Sequence, residues 1–250
     1  MNKEFFKNLQ NQYQFNMLGI ENFYTSKKYK KLFNFIKNNH NSIKGDICEF
    51  GVFNGHTILS IAILLKMIGS NKKVYGFDSF QGFSKKSFCE QDSDIQFDKL
   101  YKKKEISKDH YNKVLFRRSI KKINFSSSGN FTNTSIQSLY YKIKKLNLNN
   151  ITIIKGDFSK TLPSFFKQKK NIFACNIDCD LYESYKITLP YVWQNLSKGG
   201  FIHLDEYYSI KYPGAKIATD NFLKLNSITV KKFKDKNDDF FRYFLIKKKW

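Results

Sequence analysis

From Asp46 to Asp205 the chain repeats one pattern: a short apolar run is halted by a glycine or an acid, and a longer stretch with helical spacing follows. Such alternation leaves few choices, because successive strands separated by helices pair in parallel and need helices on both faces of the sheet. Strands are predicted at 46–50, 73–78, 151–155, 172–178 and 200–205. Between the first two, 58–68 carries Leu59, Ala62, Ile63, Leu65 and Met67 nearly all round a helix, the pattern of an element buried against a sheet. Near the end, 228–233 and 240–246 are β-prone runs split by charged residues and predict an antiparallel hairpin. The expected fold is therefore α/β: a doubly wound, Rossmann-like sheet, mostly parallel with a C-terminal antiparallel hairpin.

A chain of 250 residues accommodates one such domain with additions. Residues 1–44 read as an N-terminal helical arm of two short helices, the second opening at Ser26 and turning Leu32, Phe33 and Ile36 to one side. Residues 45–250 form the main domain. About fifty residues separate the turn at Gln81 from a helix predicted at 135–146, too many for a plain connection. We expect a lid or substrate-binding insertion at about 84–134, with Phe116, Ile120, Ile123 and Phe125 supplying apolar contacts.

The formal net charge of +23 would ordinarily point to nucleic acid. Here the excess is lysine: of 44 cations only Arg117, Arg118 and Arg242 offer the planar fork suited to phosphate, so nucleic acid is not the expected partner. Lys, Asn, Ile, Phe and Tyr are abundant together, as an AT-rich coding sequence produces without any selected partner. Four cysteines form no Cys-x-x-Cys pair, and Cys48 and Cys175 lie within apolar runs as reduced thiols usually do. With no apolar signal core at the start and no run long enough to span a bilayer, a cytoplasmic protein without a membrane partner is expected.

The chemistry gathers at the strand ends. The first strand runs through EFGVFNGHT at 49–57 into the apolar helix; Gly51 and Gly55 permit a tight turn and close approach of a ligand, and the helix N-terminus offers free N–H groups. The spacing is neither Gly-x-Gly-x-x-Gly nor a P-loop. The second strand ends in Asp78, where doubly wound folds commonly hold ribose hydroxyls. The third ends in Gly156 and Asp157, with a carboxylate able to accept an adenine amino group while Phe158 packs on the ring. The fourth ends in Asp178 and Asp180, the fifth in Asp205 and Glu206. Clustered carboxylates repel one another unless a hard cation joins them, so Asp178, Asp205 and Glu206 are the candidate ligands of a hard divalent ion, Mg, Mn or Ca, with Mg or Mn expected.

Together these segments resemble the macrocin O-methyltransferase (TylF/MycF-type) family, class I S-adenosylmethionine-dependent enzymes acting on sugar hydroxyls. The resemblance rests on EFGVFNG at 49–55, FDSFQGF at 77–83, GNFT at 129–132, KGDF at 155–158, DCDLYES at 178–184, and Gly199 and Gly200 followed by DEY at 205–207. It implies that Glu49, Gly51 and Gly55 line the methionine portion of the cofactor, that Asp78 takes the ribose hydroxyls and that Asp157 faces adenine. Thr57, Ser79, Gly82 and Asp178 complete the expected cofactor contacts. It also implies a metal held by Asp178, Asp205 and the following residue, which is Glu206 here where family members commonly carry Asp.

An acceptor hydroxyl bound to such a metal is acidified and oriented toward the sulfonium carbon. Asp178 is the candidate base, with His110 of the insertion as the alternative; the lysine of catechol-type enzymes has no counterpart, since Leu181 stands near that position. The lysine-rich insertion favours a nucleotide-linked sugar, whose diphosphate needs cations, and the resemblance implies surface polysaccharide or natural-product glycan assembly. Two other readings stay open on the sequence: an RNA-directed methyltransferase, and a non-catalytic protein that keeps the nucleoside pocket. The arm also offers a surface for packing into a homo-oligomer.

Overall fold

The computed structural model describes residues 9, 11–83, 85–120, 130–168, 170–236 and 238–248. Seven strands form one sheet: β1 (Asp46–Phe50), β2 (Val74–Asp78), β3 (Ile151–Lys155), β4 (Ile172–Ile177), β5 (Leu196–Leu204), β6 (Lys231–Phe233) and β7 (Arg242–Ile246). Their order is β3-β2-β1-β4-β5-β7-β6, with the first five parallel and β7 antiparallel to both neighbours. The expected doubly wound sheet with a C-terminal hairpin is what forms. β4 is buried along its whole length, as a strand covered on both faces must be, whereas edge strand β3 exposes Thr152 and Lys155. β5 begins earlier than the apolar run, because Leu196 already pairs with Ile172 before a register shift admits the turn at Gly199.

Helices cover both faces. On one lie α1 (Gln12–Leu18), α2 (Lys30–Asn39), α3 (His56–Met67) and α6 (Ile136–Lys145); on the other lie α7 (Phe158–Phe166), α8 (Tyr182–Asn195) and α9 (Pro213–Leu225). α3 buries every residue from Thr57 to Leu65, as its all-round apolar sequence requires. The arm is part of this core: Phe15, Phe33 and Ile36 are fully buried within the same chain, and Phe35 stacks on Phe173 and Phe201 of the sheet. α2 starts at Lys30 rather than at Ser26, whose hydroxyl accepts the Tyr29 N–H in the turn before the helix.

Among its described residues the insertion carries two helices. After short 3₁₀ turns come α4 (Gln96–Lys102) and α5 (Lys108–Ser119), which build a small core of Phe97, Leu100, Ile106 and Val114 against Ile210 and Ile217. Arg118 binds Asp94 at 2.6 Å and Asp98 at 2.7 Å, Arg117 joins Asp94, and Asp92 accepts the Tyr182 N–H at 2.8 Å. Of the apolar residues expected to anchor this segment, Phe116 is 63% exposed and Ile120 half-buried, because α5 turns His110 and Val114, four positions apart, to the core. Ile123, Phe125 and Gly129 lie outside the described residues. Among the described residues no helix is long and apolar enough to cross a membrane.

Candidate active site

A cavity of about 1210 Å³ opens at the carboxyl ends of the parallel strands, where sheets of this topology bind ligands. Glu49, near the end of β1, is 2% exposed; its Oε1 accepts a 2.7 Å bond from Asn176 Nδ2, while Oε2 has no partner among the described residues. Burial pushes this carboxyl up to about 8, only partly offset by the Asn176 amide. Gly51 then takes φ 88°, and a Cβ there would stand 1.8 Å from the Asp178 carbonyl oxygen, so the turn seats directly on the end of β4. Two further N–H groups of the turn, from Val52 and Phe53, donate to Asp78 Oδ2 at 2.8 Å each, and Phe80 N–H donates to Oδ1 at 2.7 Å. Asp78 thus fastens the glycine turn to the end of β2 and keeps one lone pair, on Oδ1, for a ligand.

Ser79 and Gly82 follow on the cavity wall. Gly82 adopts φ 65° because its loop runs against the backbone of 130–132, where Phe83 N–H donates to Asn130 O at 2.7 Å. Asp157 caps α7, accepting from Ser159 N–H and Oγ at 2.8 and 2.6 Å, and Phe158 beside it packs edge-on to Phe50. Thr57 reaches the cavity from the first turn of α3. Gly55 is not among the residues that line it; it terminates the turn at φ 83°, where a Cβ would meet Leu139 at 2.4 Å.

Carboxylate oxygens of Asp178, Asp205 and Glu206 all lie within 4.8 Å of one another, because β4 and β5 are neighbours and end at the same level. Neither oxygen of Asp205 accepts a well-directed hydrogen bond, although Lys28 Nζ lies 2.7 Å from Oδ2 and His203 Nε2 lies 3.4 Å from Oδ1. Asp178 Oδ2 accepts the Tyr29 hydroxyl at 3.0 Å. Burial would raise every carboxyl here, but the Lys28 ammonium and His203 hold Asp205 well below the usual range; burial and the Asp205 charge drive Asp178 well above it and push Glu206 up to about 7. The two buried oxygens of Asp205, converging with the half-buried carboxylates of Asp178 and Glu206, fit a hard divalent cation.

His110 is elsewhere. It is 2% exposed, does not line the cavity, stacks on Tyr208 at 4.0 Å and has Nε2 2.7 Å from Ser209 O, which makes that nitrogen the donor. Burial lowers its pKa to about 4, so the expectation of a basic His110 is replaced by a packing role that holds α5 on the 205–209 turn. Sequence pattern did not single out Lys28 and Tyr29, which come from the arm, nor Lys211 and Tyr208 on the far wall. No periodicity marks a contact such as Tyr29 to Asp178 across 149 positions.

Macrocin-O-methyltransferase (TylF) is the family whose sequence profile matches, over residues 25–134 and 121–242. Among solved structures, the O-methyltransferase NovP superposes with a TM-score of 0.62 at 20% identity, covering 89% of this chain and 80% of that one. The calicheamicin methyltransferase CalS11 gives 0.62 at 20% identity over 97% of this chain and 84% of its own. The apo form of CalS11, described as a TDP-rhamnose 3'-O-methyltransferase, gives 0.58 at 19% identity over 98% and 86%. A search of curated proteins found no match. At such identities the structures establish a shared fold, while the profile covers most of the sequence: the chain belongs to the macrocin-O-methyltransferase (TylF) family and is an S-adenosylmethionine-dependent O-methyltransferase.

Proposed function

We propose that the protein methylates a hydroxyl of a nucleotide-linked sugar and that Asp178, Asp205 and Glu206 hold a divalent ion, Mg or Mn, for that reaction. The observation that carries this reading is one cavity lined both by Glu49, Asp78 and Asp157, which follow the strand order β1, β2, β3 as methionine, ribose and adenine would need, and by the acid triad. Lys86 and Lys211 share the cavity with Tyr208, Tyr212 and Phe240, a cationic and aromatic lining suited to a diphosphate and a sugar face. CalS11, described as acting on TDP-rhamnose, is a relative in fold with that acceptor class.

When bound, S-adenosylmethionine supplies an electrophilic methyl carbon and a divalent ion supplies a Lewis acid that acidifies the hydroxyl. The chain's own contribution is orientation and proton removal. Glu49 Oε2, buried and without a partner among the described residues, accepts a hydrogen bond from the cofactor's ammonium; Asp78 Oδ1 accepts one ribose hydroxyl; Phe158 packs on adenine. Asp178 takes the hydroxyl proton, its carboxylate steered by Tyr29 Oη. Glu206 carries one methylene more than Asp, and Tyr185 Oη holds its backbone N–H at 3.1 Å, so its carboxylate reaches the cluster from a fixed backbone.

The direct test is methyl transfer from labelled S-adenosylmethionine to nucleotide-linked sugars, free sugars and RNA, with and without chelator. Turnover of nucleotide-linked sugars that stops with chelator and returns with Mg or Mn is expected; label on RNA, or turnover indifferent to chelator, contradicts the reading.

Glu49 gives a second test. Its folded carboxyl lies near 8 against an ordinary 4.5, so its protonated form favours the fold, and that contribution fades as pH rises from 4.5 through 8. An arriving ammonium reverses the preference. Binding of S-adenosylhomocysteine at pH 7 is expected to release close to one proton, read as a binding enthalpy that changes with the buffer's ionisation enthalpy. The release should vanish in Glu49→Gln and well above pH 8; a buffer-independent enthalpy in the wild type refutes the contact.

A further inference from the structure

The acid cluster already holds a cation supplied by the chain. Lys28 lies in the irregular segment between α1 and α2, and its Nζ sits 2.7 Å from Asp205 Oδ2 and 3.9 Å from Asp178 Oδ2. The Asp205 side chain is 1% exposed, whereas that of Lys28 is 38% exposed along the cavity. Its backbone is anchored by the next residue: Tyr29 is buried, its ring packs on His203 at 5.2 Å and on Phe33 at 6.1 Å, and its hydroxyl bonds Asp178. The ammonium therefore sits at the end of a flexible stem on a fixed base. Arg242, on the same cavity wall, is instead committed to Asp238 at 2.8 and 3.1 Å.

We propose that Lys28 is a tethered cation that occupies the acid cluster in the metal-free protein and must swing out of it before a divalent ion binds, so that Lys28 sets the metal affinity of the site. This rests on the reading of Asp178, Asp205 and Glu206 as metal ligands. A hard divalent ion needs these oxygens at about 2.0–2.6 Å, in the space between the same atoms that Lys28 approaches. Two like charges cannot share that space in a buried site, where their repulsion is strong. The stem gives the displaced ammonium somewhere to go, since it borders open cavity. A tethered rival has a high effective concentration, and a site blocked for most of the time shows an affinity reduced by the fraction left open. The arrangement also keeps the carboxylates from facing one another uncompensated when metal is absent.

The test is Mn(II) binding to the full chain without cofactor, followed by the electron paramagnetic resonance of free ion at one pH and ionic strength. Lys28→Met and Lys28→Gln should each bind Mn(II) about tenfold more tightly than wild type, while Lys28→Arg, which keeps the cation, should stay near wild type. Lys31→Met removes the same charge from the arm where it lies over Phe233, 4.3 Å from the ring centroid, and should change nothing. Thermal unfolding confirms that each variant is folded, and two neutral replacements guard against one that is not. Equal or weaker binding by both neutral Lys28 variants overturns the role of Lys28 alone, as does an equal gain in Lys31→Met. No Mn(II) binding by any of the proteins overturns the metal reading and this proposal together.

Discussion

Asp178→Asn is expected to lower the rate of methyl transfer by about 10³-fold, within the 10²–10⁴ typical of a lost general base, while leaving the protein at least as stable as the wild type. The two effects part because they have different physical origins. Asn keeps the size of Asp and an oxygen for the Tyr29 hydroxyl, which lies 3.0 Å from Asp178 Oδ2. It removes a carboxylate whose pKa is driven well above the ordinary value by burial and by the neighbouring Asp205 charge. A carboxyl raised in this way favours the fold when protonated and loses that contribution as pH rises, so at neutral pH its ionised form opposes folding. The measurement is kcat beside the thermal midpoint, with S-adenosylhomocysteine affinity as a control expected to change little. A variant that keeps most of its activity, or one that is inactive because it melts early, removes Asp178 from the role of base.

Gly51→Ala should destabilise the fold by about 2–6 kcal/mol, the sum of a residue forced into the left-handed region and an overpacked contact. The new methyl would stand 1.8 Å from the Asp178 carbonyl oxygen and 2.7 Å from its carbonyl carbon, both backbone atoms that cannot rotate away. Relief requires the turn and the end of β4 to separate, which also disturbs the Val52 and Phe53 N–H bonds to Asp78. Cofactor affinity is therefore expected to fall together with stability. Gly69→Ala is the matched control: φ is 68° there, but a Cβ would meet nothing within 4 Å, so only the conformational cost of about 1–2 kcal/mol remains. Equal melting points for the two variants would show that the close approach at Gly51 does not exist.

Most of the sheet and half of the site could be read along the chain. Each parallel strand announces itself by an apolar run, and each run stops at the residue that meets solvent and ligand, so Glu49, Asp78, Asp157, Asp178 and Asp205 could be assigned to one rim before any contact was known. Even the grouping of Asp178 with Asp205 and Glu206 follows from local pattern plus one rule, that ligands gather at the carboxyl ends of adjacent parallel strands. Other features are invisible along the chain. Turn glycines that face a ligand and those that face a neighbouring helix have the same local sequence, and the closeness of Gly55 to Leu139, 84 positions away, is recorded by neither. His110 has the intrinsic pKa of a base, yet Tyr208 and Ser209 O bury and bind it.

Local sequence by itself determined the strands, the apolar helix, the hairpin and the acids at the strand ends, because hydrophobic periodicity and turn chemistry act over a few residues at a time. It also determined family membership, carried by motifs in a definite order. Only the tertiary structure decided what surrounds those acids: that Lys28 and Tyr29 of the arm close on Asp205 and Asp178, that His110 is sealed away, and that the insertion is anchored by Phe97 and Val114 rather than by Phe116. Charge compensation and burial depend on atoms brought together from distant parts of the chain, and no local pattern records which distant side chain will arrive.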